Sequence, residues 1–214
     1  MIPVKILAVR YLANASPALC QSLGAPKGYP SLAMVTTDCD DATYIALDAA
    51  TKAADVVVAY GRSFYAGAAN ASTPNAGEVI GILAGTTPGI VRSGMEAALS
   101  ALKRVGFQDV GVPCLAHTVS SCGSFLSQEA GVQEGTALAY LIAPPLESMY
   151  AMDAALKAAD VKLCKLYAPP SETNFGGGLL SGSQSACFAA CEAFLRAVEE
   201  VARNPLTGGA NYGI

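Results

Sequence analysis

The sequence predicts an α/β (α+β) chain of two tandem copies of one small domain, residues 1–108 and 109–214, each a small sheet covered by helices. Three observations predict it. Ala46-Leu-Asp-Ala-Ala-Thr-Lys-Ala-Ala-Asp-Val56 returns as Ala151-Met-Asp-Ala-Ala-Leu-Lys-Ala-Ala-Asp-Val161, with nine of 11 positions identical. Weaker echoes follow in the same order: Leu19–Gly24 in Leu126–Gly131, and Gly81–Gly85 in Gly178–Gly182. Both halves also alternate strand-length apolar runs with helical periodicity. Two copies are too few for a solenoid, so a duplicated domain is the reading.

The elements follow in order. Ile6–Leu12 reads as a strand, Ser16–Leu23 as a short helix and Leu32–Thr36 as a strand. Asp40 or Asp41 should cap a helix running to Ala54, because carboxylates there satisfy free N–H groups and the dipole. Val56–Tyr60 is a strand, followed by a Gly/Ala/Asn/Ser loop through Gly77. Val79–Ala84 is a further strand, and Pro88 opens a helix that ends near Arg104. The second half repeats this pattern, with its last helix near Ser183–Arg203 and a shorter loop from Tyr167 to Gly177.

Composition narrows the function. Only 14% of residues are charged, against 52% apolar, and the net charge is −4. Typical soluble domains carry roughly 25% charged residues, so the surface should be partly buried against other copies. The longest uncharged stretches, 110–128 and 173–191, are interrupted by Pro113, His117 and Asn174 and are not continuous apolar spans. No signal-peptide pattern opens the chain, which reads as a cytosolic product. An acidic chain without a basic cluster argues against nucleic acid. Seven cysteines, an odd number with no Cys-x-x-Cys pair, argue against a disulfide framework or structural zinc and read as free buried thiols.

Enzymatic chemistry has little to stand on. No nucleophile elbow, phosphate loop, dinucleotide fingerprint or zinc-protease motif occurs. The one histidine, His117, sits in a strand-like context and reads as structural. Gly176-Gly177-Gly178 could approach an anion, but a flexible or tightly packed turn suits it better. Neither a catalytic residue nor a cofactor or metal is expected. Asp38-Cys-Asp-Asp41 is the densest charge cluster and reads either as helix capping or, with Glu78, as a patch for a metal or small ammonium compound. Lys52 and Lys157 hold the same place in the two copies. Each can pair with the Asp four residues earlier, a contact of a few tenths of a kcal/mol. Their Ala-rich surroundings favour a packing surface centred on the lysine.

Asp-Ala-Ala-x-Lys-Ala-Ala-Asp-Val resembles the signature around the edge lysine of bacterial microcompartment shell proteins. Two copies in a permuted element order resemble the tandem-domain trimeric members. Asp40–Asp48, Tyr60–Ala69, Ala143–Glu147 and Pro169–Phe175 resemble the ethanolamine-utilisation L-type group in particular. The resemblance implies a non-enzymatic tile: a homotrimer whose six similar domains form a pseudohexagon and assemble with other shell proteins. It implies Lys52 and Lys157 at the tile edge. It also implies a gated central pore lined by loops carrying Tyr65, Asn70, Asn174 and Phe175. A smaller pore would hold ethanolamine or a similar metabolite through Asp40 and Glu78, with Phe107 as an aromatic wall. The alternative is an oligomeric small-molecule sensor that forms no lattice.

Overall fold

The structure, a computed structural model, describes residues 1–64, 77–169 and 173–206. It divides into two compact units. The first comprises Pro3–Gly106 with Cys122–Gly135; the second comprises Met1–Ile2, Phe107–Ser121 and Thr136–Ile214.

In the first unit, strands β1 (Ile6–Leu12), β2 (Ser31–Thr37), β3 (Val56–Ser63) and β4 (Val79–Gly85) form one sheet in the order β1-β2-β4-β3. Every pairing is antiparallel. Helix α1 (Pro17–Ser22) follows β1, and α2 (Asp40–Ala53) and α3 (Pro88–Leu102) pack along each other. Alternation explains the core: Leu32, Ile82 and Ala84 point to the face on which Cys20 of α1 packs. Thr87 begins α3 by accepting the Ile90 N–H at 3.3 Å, with Pro88 in the first turn where its missing N–H is harmless. Helix α4 (Ser124–Ala130), although encoded in the second copy, belongs to this unit and packs on α2.

The second unit repeats the design. Its strands β5 (Gln108–Asp109), β6 (Pro113–Val119), β7 (Ala137–Ala143), β8 (Val161–Tyr167) and β9 (Gly176–Gly182) take the order β5-β6-β7-β9-β8, again antiparallel throughout. Helices α5 (Pro145–Ala158) and α6 (Gln184–Arg203) cover it. Phe194, Leu141, Leu180 and Cys187 are wholly buried in its core. Even an irregularity is duplicated: β3 bulges between Val58 and Tyr60, and β8 between Leu163 and Lys165.

Four details depart from the sequence reading. Strand β3 runs three residues further, to Ser63, because β4 supplies partners to its end. The short strand β5 was not anticipated; two residues carry too little periodicity. Cys39, not an aspartate, is the N-cap of α2, and Asp40 and Asp41 fill its first turn. Gly176-Gly177-Gly178 is no turn but part of β9, bonded on both sides. Gly177 has φ +149°, and a Cβ there would lie 1.9 Å from the Leu141 carbonyl oxygen, so only glycine fits. Among the described residues, no helix is long and apolar enough to cross a membrane.

A candidate carboxylate site and a buried helix seam

Sheet register assembles the first site. Val79 at the start of β4 pairs with Thr37 at the end of β2 and with Ser63 at the end of β3. The preceding residue, Glu78, donates its N–H to the Thr37 carbonyl and accepts from the Phe64 N–H, both at 2.9 Å. A side chain at Gly77 would strike the Thr37 carbonyl oxygen at 1.8 Å, so glycine is what lets the chain enter here. Helix α2 starts three residues after Thr37, which brings Asp40 to the same corner. The Thr37 hydroxyl accepts the Cys39 N–H at 3.1 Å and meets the Thr43 hydroxyl at 2.7 Å, holding the helix entry in place.

Asp40 is 7% exposed, and its Oδ1 accepts the Asp41 N–H at 2.9 Å. Burial raises its pKa, opposed by hydrogen bonds from the Ser63 side chain and the Asp41 backbone. Glu78 reaches solvent, yet desolvation raises its pKa too, reinforced by Asp40 and Asp38. Cys39 is pushed up by burial and by the nearby carboxylates, so it is an inert thiol. Asp38 has other work: its Oδ1 accepts the Lys5 N–H at 2.7 Å. Among the described residues, no Lys or Arg stands within ion-pair distance of Asp40 or Glu78. Two crowded carboxylates with no paired cation favour an incoming positive charge. Among the described residues, no three His, Cys, Asp or Glu side chains are grouped to hold a metal ion.

The structure adds two residues that the sequence reading passed over. Tyr44, one turn after Asp40, places its hydroxyl 2.5 Å from the Ser63 hydroxyl. Burial, with Asp40 and Asp41 nearby, pushes its pKa up to about 12, so it stays a neutral donor. Its ring packs against Phe125 of α4, centroids 5.9 Å apart and tilted by 46°. The i, i+4 spacing of Asp40 and Tyr44 was a usable signal; Ser63 carried none until β3 was known to extend.

The other expected site residues divide. Phe107 belongs to the second unit, unlike Asp40 and Glu78, and meets Phe175 edge-on at 5.6 Å and 76°. Asn174 is exposed at φ +62°, a left-handed turn that Asn tolerates. Tyr65 and Asn70 lie outside the described residues. His117 is in β6 opposite Tyr140, as its strand-like context suggested.

The two lysines form the acid-first pairs that their spacing foretold, in contrasting surroundings. Lys157 and Asp153 lie 2.6 Å apart with both side chains well exposed. Lys52 lies 3.2 Å from Asp48, whose side chain is fully buried. Asp48 accepts the Gly123 N–H with both oxygens, at 2.9 and 2.8 Å, and the Leu126 N–H at 2.9 Å. Beside it, the Thr51 hydroxyl accepts the Ser124 N–H at 3.2 Å. α2 thus satisfies the free N–H groups that open α4.

Comparison with known proteins places this architecture. Residues 31–112 match the BMC domain family. Over 211 residues, 96% of this chain and 97% of the relative, it is 57% identical to the bacterial microcompartment shell protein EutL of Clostridium perfringens (strain 13 / Type A). Its likeness to EutL of Escherichia coli (strain K12) is 47% over 211 residues, 96% of each chain. The crystal structure of EutL from Leptotrichia buccalis C-1013-b superposes with TM-score 0.93 at 56% identity, covering 96% of this chain and 97% of that one.

Proposed function

The chain belongs to the EutL family of bacterial microcompartment shell proteins and is a structural shell component, not an enzyme; from that premise we propose a gated, cation-selecting tile. Three copies close a ring in which residues 1–108 and 109–214 supply six similar domains. Lys52 and Lys157 lie on the rim, their stems packed against a neighbouring tile or another shell protein while the ammonium groups stay hydrogen-bonded. The loops carrying Tyr65, Asn70, Asn174 and Phe175 surround the central pore and rearrange to open it.

Asp40 and Glu78 bind a small alkyl ammonium such as ethanolamine. The supporting observation is their juxtaposition at one corner, with no Lys or Arg paired to them among the described residues and with the pKa of each raised by burial. An ammonium brings three donors to such acceptors and relieves their mutual repulsion. Phe107 enters this reading as the ring that holds Phe175. Calorimetry with ethanolamine tests the site. The original protein should bind saturably, and the Asp40→Asn, Glu78→Gln variant should bind at least tenfold more weakly. Binding unchanged in the variant would refute this placement. Electron microscopy tests the tile: flat arrays are expected, lost on changing Lys52 and Lys157 to Glu while the single ring persists.

A further inference from the structure

Tyr44, Ser63 and Asp40 form a chain of polar groups that crosses from α2 to β3 and back, and the direction of its protons can be counted. An ionised carboxylate only accepts, so the Ser63 hydroxyl must give its one proton to Asp40. Ser63 is left with lone pairs alone for Tyr44, whose hydroxyl lies 2.5 Å away, and the phenol is therefore the donor. Packing aims that donor. The Tyr44 ring lies against Phe125 of α4, and a Cβ added at Gly61 of β3 would sit 3.5 Å from the Tyr44 ring and 3.6 Å from the Phe125 ring. Asp40 takes a further donor from its own helix, the Asp41 N–H at 2.9 Å.

The duplication shows which of these groups belong together. Register aligns the copies: β1, β2, β3 and β4 correspond to β6, β7, β8 and β9, and the shared bulge fixes β3 on β8. Asp40, Tyr44, Ser63 and Glu78 then fall on Pro145, Met149, Ala168 and Phe175. All four polar groups are absent together, while Asp48 and Lys52 of the same helix are kept as Asp153 and Lys157. Hydroxyls that served only the domain fold would have reason to persist in the second copy. These two go where the carboxylates go.

We propose that Tyr44 and Ser63 are positioning residues of the Asp40–Glu78 site, a two-bond relay that fixes the Asp40 carboxylate and keeps it charged to accept an ammonium group. This rests on the reading of the corner as an ammonium site and names what prepares it. Burial presses Asp40 toward its protonated form, which would turn an O–H toward the ligand's own donors. The ionisable groups that crowd the corner are Asp38, Cys39, Asp41 and Tyr44 on its own stretch of chain and Glu78 at the start of β4. None of them carries a positive charge. β3 brings Ser63 and α4 brings Phe125, neither ionisable. The relay offsets burial by hydrogen bonding to the charged form, and Tyr44 strengthens it by fixing which way the Ser63 proton points.

Two measurements on the full chain test it, with circular dichroism to verify folding. Calorimetry gives the ethanolamine affinity, and carbon-13 at the aspartate side-chain carboxyl gives the protonation midpoint of Asp40 without ligand, its resonance assigned through Asp40→Asn. Tyr44→Phe keeps the ring against Phe125 and removes only the donor. It should raise the Asp40 midpoint by about half a pH unit. It should also weaken ethanolamine about fivefold near that midpoint, with the gap narrowing as rising pH ionises Asp40 in both proteins. Ser63→Ala should do the same or more, and adding Tyr44→Phe to it should change nothing further, because the two bonds act in series. Ser63→Thr keeps a hydroxyl and should restore the midpoint. In an Asp40→Asn background, Tyr44→Phe should lose its effect on affinity. An unmoved midpoint in Tyr44→Phe, or an equal loss of affinity with Asp40→Asn present, overturns the relay while leaving the ammonium reading standing. If the original protein binds no ethanolamine, the ammonium reading falls and the ligand's part in this proposal falls with it. The midpoint, measured without ligand, then still upholds or overturns the relay itself.

Discussion

Ala46–Val56 and Ala151–Val161 are nearly the same sequence, yet the central aspartate is buried in one and open in the other. Both segments form the same helix turn with the same acid–lysine pair. The difference comes from another part of the chain: α4 covers α2, and nothing among the described residues covers α5 in the same way. Burial is thus a property of what the fold delivers to a helix. The largest expected effect follows directly. Asp48→Ala removes an acceptor from two N–H groups and leaves them buried, so it should lower stability by about 3 kcal/mol. Asp153→Ala, measured by urea unfolding at dilutions where the chain is single, should change stability by less than about 0.5 kcal/mol. Equal losses at the two sites would mean that the contrast in exposure has no energetic content.

The corner at Asp40 and Glu78 extends the comparison, because the second copy lacks it. The matching positions hold Pro145, first in α5, and Phe175, just before β9. A ring of three chains would carry three carboxylate sites, not six. The pH response should follow this asymmetry. Both carboxyls have folded-state pKa values above their unfolded values, so the folded protein holds their protons more tightly. Their contribution to stability is full below the ordinary carboxylate range and is lost as pH rises through the raised values. The Asp40→Asn, Glu78→Gln variant should therefore be more stable than the original at pH 7, with the difference closing as pH falls toward 4. Thermal unfolding across that range checks it. A variant less stable at pH 7 would show that the charged carboxylates hold the corner together.

Much of this was legible in the residues. The duplication, the strand and helix sequence of both halves, and the acid–lysine pairs all rest on local pattern, which periodicity reports. The corner was half legible: Asp40 and Glu78 were both marked, but Ser63 joins them only through the register of β3 with β4. The burial of Asp48 was not legible. A polar residue on an Ala-rich helix, four before a lysine, reads as solvated; only the arrival of α4, 75 residues later in the chain, reverses that. The packing of Phe107 was not legible for a related reason. An aromatic ring in a loop carries no local sign of its partner, and the partner is Phe175.

The smallest effect concerns the lysines themselves, and it gives the finest reading of the two copies. Lys157 and Asp153 are an exposed helix pair, so Lys157→Ala in the single chain should cost only about 0.3 kcal/mol and vanish at high salt. Lys52 faces a carboxylate with no access to water, although the lysine itself is 37% exposed. Removing it leaves that charge with its two N–H donors alone, so Lys52→Ala should cost roughly 1 kcal/mol and respond less to salt. The two lysines should then converge under one condition. If assembly covers Asp153, that carboxylate loses its access to water as Asp48 does, and Lys157→Ala should approach the cost of Lys52→Ala. Measuring both substitutions below and above the trimer dissociation constant separates the cases. A cost at Lys157 that stays small and salt-sensitive in the assembled ring would mean that its aspartate is still open to water.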